Sequence, residues 1–234
     1  MLRSLFGDKP RQDNGLLLET NNAIDAFCKR LRNEHGCSGG VQAKWIRLDL
    51  WATGLRSALN ELEQSVYCSQ HYGENITKLS EEEMTSDELA GYYRHVYFYK
   101  NAFIRIFSTL DKTGYFLDKL YDLNTTRVKQ KFSYYTVLRQ LHKIPAYAQL
   151  EQRLFDIKVS HQKPMGRLRM RRNLEIHSLN AELIDDIWRT RQCFATEHKV
   201  EPVRSNLEDL QQGFVMVCDS LHTIFAYCSK PTHK

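Results

Sequence analysis

The chain has 234 residues, 42% hydrophobic and 26% charged, a folded globular composition that excludes disorder of the whole chain. Its net charge of +5 permits an acidic partner such as nucleic acid but does not demand one. No apolar run approaches the roughly 18 residues that a membrane span needs, and the N-terminal MLRSLFGDKPRQDNG lacks the apolar stretch of a signal peptide. A cytoplasmic protein with no membrane partner is expected.

Eleven glycines and five prolines leave long stretches free of breakers, which favours helices. Residues 1–14 are polar and contain proline, and are expected to form a flexible arm. Leu16 to about Arg32 predicts a first helix, with Leu17, Ile24, Phe27 and Leu31 on one face. The string HGCSGG, His35 to Gly40, breaks it. Val41 to about Tyr67 predicts a second helix, whose Trp45, Leu48, Ala52, Leu55, Leu59, Leu62 and Val66 recur every three or four residues.

Glu74 to Met84 is polar and acidic, and is expected to be a loop. Thr85 and Glu88 have the spacing of a capping box. A pattern rich in Tyr and Phe follows through Tyr93, Val96, Tyr97, Phe103, Phe107, Leu110, Leu117 and Leu120. It predicts one very long helix from Ser86 to Tyr121, which Gly114 can kink or split. Those aromatics suggest either a base-stacking surface or a core stripe, and the helical period favours the core.

Asn124 to Thr126 signals a turn. A short helix is expected over Lys131 to Leu141, and Pro145 can start another that ends before the HQKPMG segment. Residues 181–195 look helical, and Val200 to Val203 looks like a linker. Ser205 and Glu208 form a second capping-box pattern. It opens a C-terminal helix to Cys228 whose stripe is Leu207, Leu210, Phe214, Val217, Leu221, Ile224 and Phe225. No segment alternates with period two. The expectation is an all-α antiparallel bundle of roughly six to eight helices, forming one domain over residues 15–234.

The six cysteines, at 28, 37, 68, 193, 218 and 228, include no C-x-x-C pair. No cluster of four zinc ligands stands out, so reduced thiols and no metal or cofactor are expected. The glycine-rich phosphate loops, H-E-x-x-H, Glu-x-x-His pairs and G-x-S-x-G are all absent from the sequence.

One stretch is unusual. Between Asp156 and Glu175 there is no acidic residue, while Lys158, Lys163, Arg167, Arg169, Arg171 and Arg172 all fall there. Four arginines in six helical positions create a local positive field, and guanidinium groups suit phosphate oxygens. A solvated basic face, or arginines paired with acids of neighbouring helices, is the plainer explanation.

The cluster runs into Arg172-Asn173-Leu174-Glu175-Ile176-His177. Arg followed after four to six residues by His is common by chance, and Arg30 with His35 and Arg191 with His198 also fit. The tighter form, Arg-Asn then His after three more residues, is expected only ~0.03 times in a chain of this composition, and it occurs at Arg172 alone. In this string, in its basic helix and in its helical surroundings, the chain resembles the HEPN superfamily.

That resemblance implies a helical bundle and, in active members, metal-independent endoribonucleases that act as toxins or antiviral effectors, some held by an antitoxin protein. It implies Arg172, Asn173 and His177 as catalytic residues and RNA as substrate, with Arg167, Arg169 and Arg171 available to bind it. Positions 172 and 177 lie about 140° apart on an ideal helix, whereas 173 shares the face of 177. One protomer does not easily close both onto one phosphate, so a homodimer with a composite site is expected. A catalytically silent HEPN-like binding or scaffold protein, and an unrelated helical bundle, stay open as alternatives.

Overall fold

The computed structural model describes residues 2–35, 42–78, 80–128, 132–177 and 203–229, with the backbone alone at Leu5, His35, Gln42, Val128 and His177. Among these residues the chain is all-α. The helices are α1 (Gly15–His35), α2 (Gln42–Gly73), α3 (Ser86–Leu120), α4 (Thr125–Val128), α5 (Tyr134–Leu141), α6 (Ala148–Ser160), α7 (Gln162–His177) and α8 (Val203–Cys228). Short 3-10 turns cover Leu2–Phe6, Glu81–Glu83 and Pro145–Tyr147. The expected helix over 181–195, the Arg191 and His198 pair and most of HGCSGG lie outside the described residues.

The chain divides into two compact units. One comprises Met1–Lys9, Leu62–Arg105 and Gln162–Phe214; the other comprises Pro10–Glu61, Ile106–His161 and Val215–Lys234. The second is built on a triangle of rings. Phe27, Phe116 and Phe225 stand 5.1–5.6 Å apart by centroid, mostly edge to face, a favourable arrangement for aromatic quadrupoles. Ile24, Leu48, Leu55, Leu59, Val137, Leu154 and Leu221 are buried in this unit as well. The first unit buries Leu62, Val66, Tyr92, Tyr99, Phe103, Met165, Leu168 and Leu210.

Local chemistry sets the helix limits. The Glu88 N–H donates to the Thr85 hydroxyl at 3.3 Å at the start of α3, as the capping pattern requires. The Glu88 carboxylate also accepts from the Thr77 N–H and hydroxyl, which ties the preceding loop to the helix and holds this carboxyl below its ordinary value. Ser133 and Thr136 form a reciprocal cap on α5. Asp118, itself buried, accepts from the Thr125 N–H at 2.8 Å and starts α4.

Several expectations are corrected. Within the expected arm the 3-10 turn Leu2–Phe6 makes contacts: Arg3 is paired with Glu63, and Phe6 stacks on His71 with centroids 4.1 Å apart. An apolar ring and a charge that both find partners hold that turn down. Helix α2 runs on to Gly73, because Tyr72 packs against Phe6. Helix α7 begins at Gln162, with Pro164 inside its first turn, where its missing N–H costs nothing. Helix α8 begins at Val203, which is buried, so Ser205 lies within the helix rather than capping it. Tyr93 and Tyr97, assigned to the core stripe of α3, are 54% and 64% exposed.

Gly114 does not break α3, which is continuous for 35 residues. Its hydrogen is needed for contact instead: a Cβ there would lie 2.9 Å from the Tyr134 Cα and 3.2 Å from its backbone nitrogen. Gly114→Ala therefore forces backbone apart, and overpacking outweighs the better helix propensity of alanine. A loss of about 1–2 kcal/mol is expected in urea unfolding. Gly166→Ala, in open space on α7, should stabilise by about 0.5–1 kcal/mol. The opposite ordering would contradict the close approach.

Burial pushes the thiols of Cys28, Cys68 and Cys228 up to about 11. Little thiolate is then present near neutral pH, and thiolate is the reactive form. Peptide mapping after a short pulse of alkylating reagent should show these three labelled far more slowly in the folded chain than in denaturant. Equal labelling in the two conditions would be inconsistent with this burial.

Candidate active site

Helix α7 carries the whole basic stretch from Arg167 to His177. Met165 and Leu168 are buried, and Arg172, four residues after Leu168, is half-buried on the same side. Arg169, Met170, Asn173 and Ile176 are exposed. The motif therefore straddles the helix, with Arg172 toward the inward face and Asn173 toward solvent. His177 is the last helical residue. By helical period, position 177 lies about 40° from position 173 and about 140° from 172.

The arginines named from the sequence meet different fates. Arg167 forms a two-pronged pair with Asp209 of α8: its Nε–H donates to Oδ2 at 2.6 Å, and its Nη2–H donates to Oδ1. Asp209 is only 4% exposed, so this cation is committed to a buried acid. The carboxylate in turn raises Arg167 above its ordinary value. Arg171 lies over the Tyr99 ring of α3, 5.9 Å from its centre, at the outer edge of a cation–π contact. Glu175, inside the motif, pairs with Lys100 of α3 at 3.2 Å.

Asp209, Lys100 and Tyr99 were not singled out by motif. Asp209 left a signal nonetheless. It sits directly before Leu210 in an apolar helix, and an acid buried at such a place requires a cation. One chance match is occupied elsewhere: Arg30 donates to Glu34 at 2.7 Å and to the Cys228 carbonyl at 2.9 Å. Among the described residues no group of three or more His, Cys, Asp or Glu is placed to hold a metal ion. No helix of the described residues is long and apolar enough to cross a membrane.

Arg167→Ala leaves Asp209 buried without its counter-charge and should lower the urea midpoint. Urea melts check this; an unchanged midpoint for Arg167→Ala would contradict the buried pair.

No protein of curated function and no solved structure matches the chain. A family model does, over residues 51–229, which contain α3 to α8 and the whole Arg-Asn-x-x-x-His string. On that match the chain belongs to the family described as HEPN_Cthe2314-like HEPN.

Proposed function

We propose that this HEPN chain is a metal-independent endoribonuclease that cuts RNA through attack of the 2′-hydroxyl on the adjacent phosphate. The observation that carries the proposal is the Arg172-Asn173-x-x-x-His177 string at the end of a basic helix in a HEPN family member. The bond formed is 2′-oxygen to phosphorus, and the bond broken is phosphorus to 5′-oxygen. A base takes the hydroxyl proton and an acid protonates the leaving oxygen; His177 serves as one of them, imidazole being a common general acid or base. Arg172 stabilises the negative charge that grows on the phosphoryl oxygens. Asn173 orients the imidazole or a phosphate.

The separation of positions 172 and 177 around α7 supports a composite site. A two-fold pair of chains would bring Arg172 of one copy toward His177 of the other. In the cell this enzyme acts in the cytoplasm as a toxin or antiviral-type effector, with an antitoxin protein as its restraint. Arg169 and Arg171 hold the RNA backbone, while Arg167 supports α7 through Asp209.

Purified protein should cleave single-stranded RNA in EDTA, leave 2′,3′-cyclic phosphate ends and spare DNA, which lacks the nucleophile. His177→Ala should cost at least about 100-fold in rate, and Arg172→Ala a similar factor. Asn173→Ala should cost less. Parent-like cleavage by His177→Ala would remove the site from the chemistry.

A second function is favoured by one observation: arginines of α7 are used in packing, Arg167 against Asp209 and Arg171 over Tyr99. A catalytically silent HEPN protein would bind RNA without cutting it, with affinity falling steeply as salt rises. An inert, dimeric parent protein that still binds RNA would favour it.

A further inference from the structure

Tyr93, Tyr97, Lys100 and Ile104 recur at i, i+4, i+7 and i+11, so they form one line along α3. The line leads to the motif: Lys100 is paired with Glu175, which stands between Arg172 and His177 on α7. Two of its members are large rings in water, Tyr93 at 54% and Tyr97 at 64% exposure, about 6 Å apart along the helix axis. Core packing does not account for them.

Tyr97 is backed by other rings. It meets Phe98 edge-on, with centroids 5.2 Å apart and planes at 82°. Phe98 lies parallel to Tyr72, 6.0 Å away at 11°. Tyr72 is buttressed by Phe6 at 5.3 Å. Arg94, one turn before Tyr97 and exposed, holds its guanidinium 5.6 Å from the Tyr72 ring centre. A ring braced from behind pays little entropy when a flat ligand covers its open face. An adjacent arginine supplies a cation for a phosphate. Aromatic faces beside cations are how single strands are held without reading their sequence.

The two tyrosines are not equivalent. The Tyr93 hydroxyl donates to Glu81 at 3.1 Å, so the acidic 3-10 turn Glu81–Glu83 borders that end and repels phosphate. Charge complementarity therefore favours the Tyr97 end, where Arg94 precedes the ring by three residues.

We propose that Tyr97 and Arg94 form a base-stacking platform that holds single-stranded RNA beside the α7 motif. The choice of RNA rests on the function proposed above; the platform itself rests on the exposed, braced ring and its arginine.

The test uses the full chain carrying His177→Ala, so that RNA survives, and fluorescence anisotropy with labelled oligo(U) and oligo(dT) of about 12 nucleotides, within the usual site size. Tyr97→Ala should weaken binding of both strands about 10-fold. Tyr97→Trp and Tyr97→Phe should bind like the parent. Tyr97→Leu keeps an apolar side chain against Phe98 but offers no face to stack on, and should match Tyr97→Ala. Arg94→Ala should weaken binding and flatten the salt dependence by about 0.7 in slope, one phosphate's share for a single strand. Circular dichroism of each variant should match the parent.

If Tyr97→Ala and Arg94→Ala bind as tightly as the parent, the platform is wrong even if the native chain cleaves RNA. If the native chain cuts nothing but both strands bind through Tyr97, the ribonuclease assignment falls and the platform stands. Absence of any binding by the parent overturns the platform. So does a Tyr97→Ala variant that changes self-association in sedimentation while binding is unaltered, since the face would then belong to a second copy of the chain.

Discussion

One constraint governs the arrangement: α3 must stay helical for 35 residues while its surroundings change along its length. Near its start, burial falls on single positions one turn apart, Tyr92, His95 and Tyr99. From Ala102 onward it falls on neighbouring pairs, Ala102 with Phe103, Ile106 with Phe107, and Thr109 with Leu110. A single helix thus goes from one covered side to a broad covered arc. Its exposed side near the start is where the tyrosines face water, and its Tyr99 and Lys100 are where α7 makes contact.

That change explains what was legible in the sequence. Helices α1, α2 and α8 each show one apolar stripe, and Ile24, Leu48, Leu59, Leu221 and Phe225 are buried as the spacing demanded. In α3 the aromatics come in adjacent groups, Tyr92-Tyr93 and Tyr97-Phe98-Tyr99, so the pattern contains two overlapping stripes. Period alone does not tell which is inward, and Tyr93 and Tyr97 were assigned to the wrong one. The docking of Phe6 was invisible for another reason: its partners, His71 and Tyr72, lie more than sixty positions away. No local pattern reports such a contact.

The candidate site was legible as chemistry but not as electrostatics. Arg172, Asn173 and His177 were recognisable by type and spacing, and the basic run announced itself by lacking acids. The acids that answer it come from elsewhere in the chain. Asp209 meets Arg167, and the cation Lys100 meets the one acid of the motif, Glu175. Counting charges along α7 therefore overstates the field that a phosphate would meet. The helix uses part of its charge as internal adhesive, and a buried acid such as Asp209 tolerates only a partner that stays ionised, which arginine does.

The start of α5 is fixed at three points, two on α3 and one on α8. Asp111 accepts the Tyr134 N–H at 3.0 Å, the Tyr134 backbone presses on Gly114, and the Tyr134 hydroxyl donates to Ser220 at 3.2 Å. A glycine has one place to receive a neighbouring backbone, so α5 has no second seat one turn along α3. Length variation between the two helices must then be absorbed within the connector. Chains of this family that differ in length here should carry the insertion or deletion between Tyr121 and Ser133, with the spacing from the aspartate to the glycine on one side, and from the serine to the tyrosine on the other, left intact.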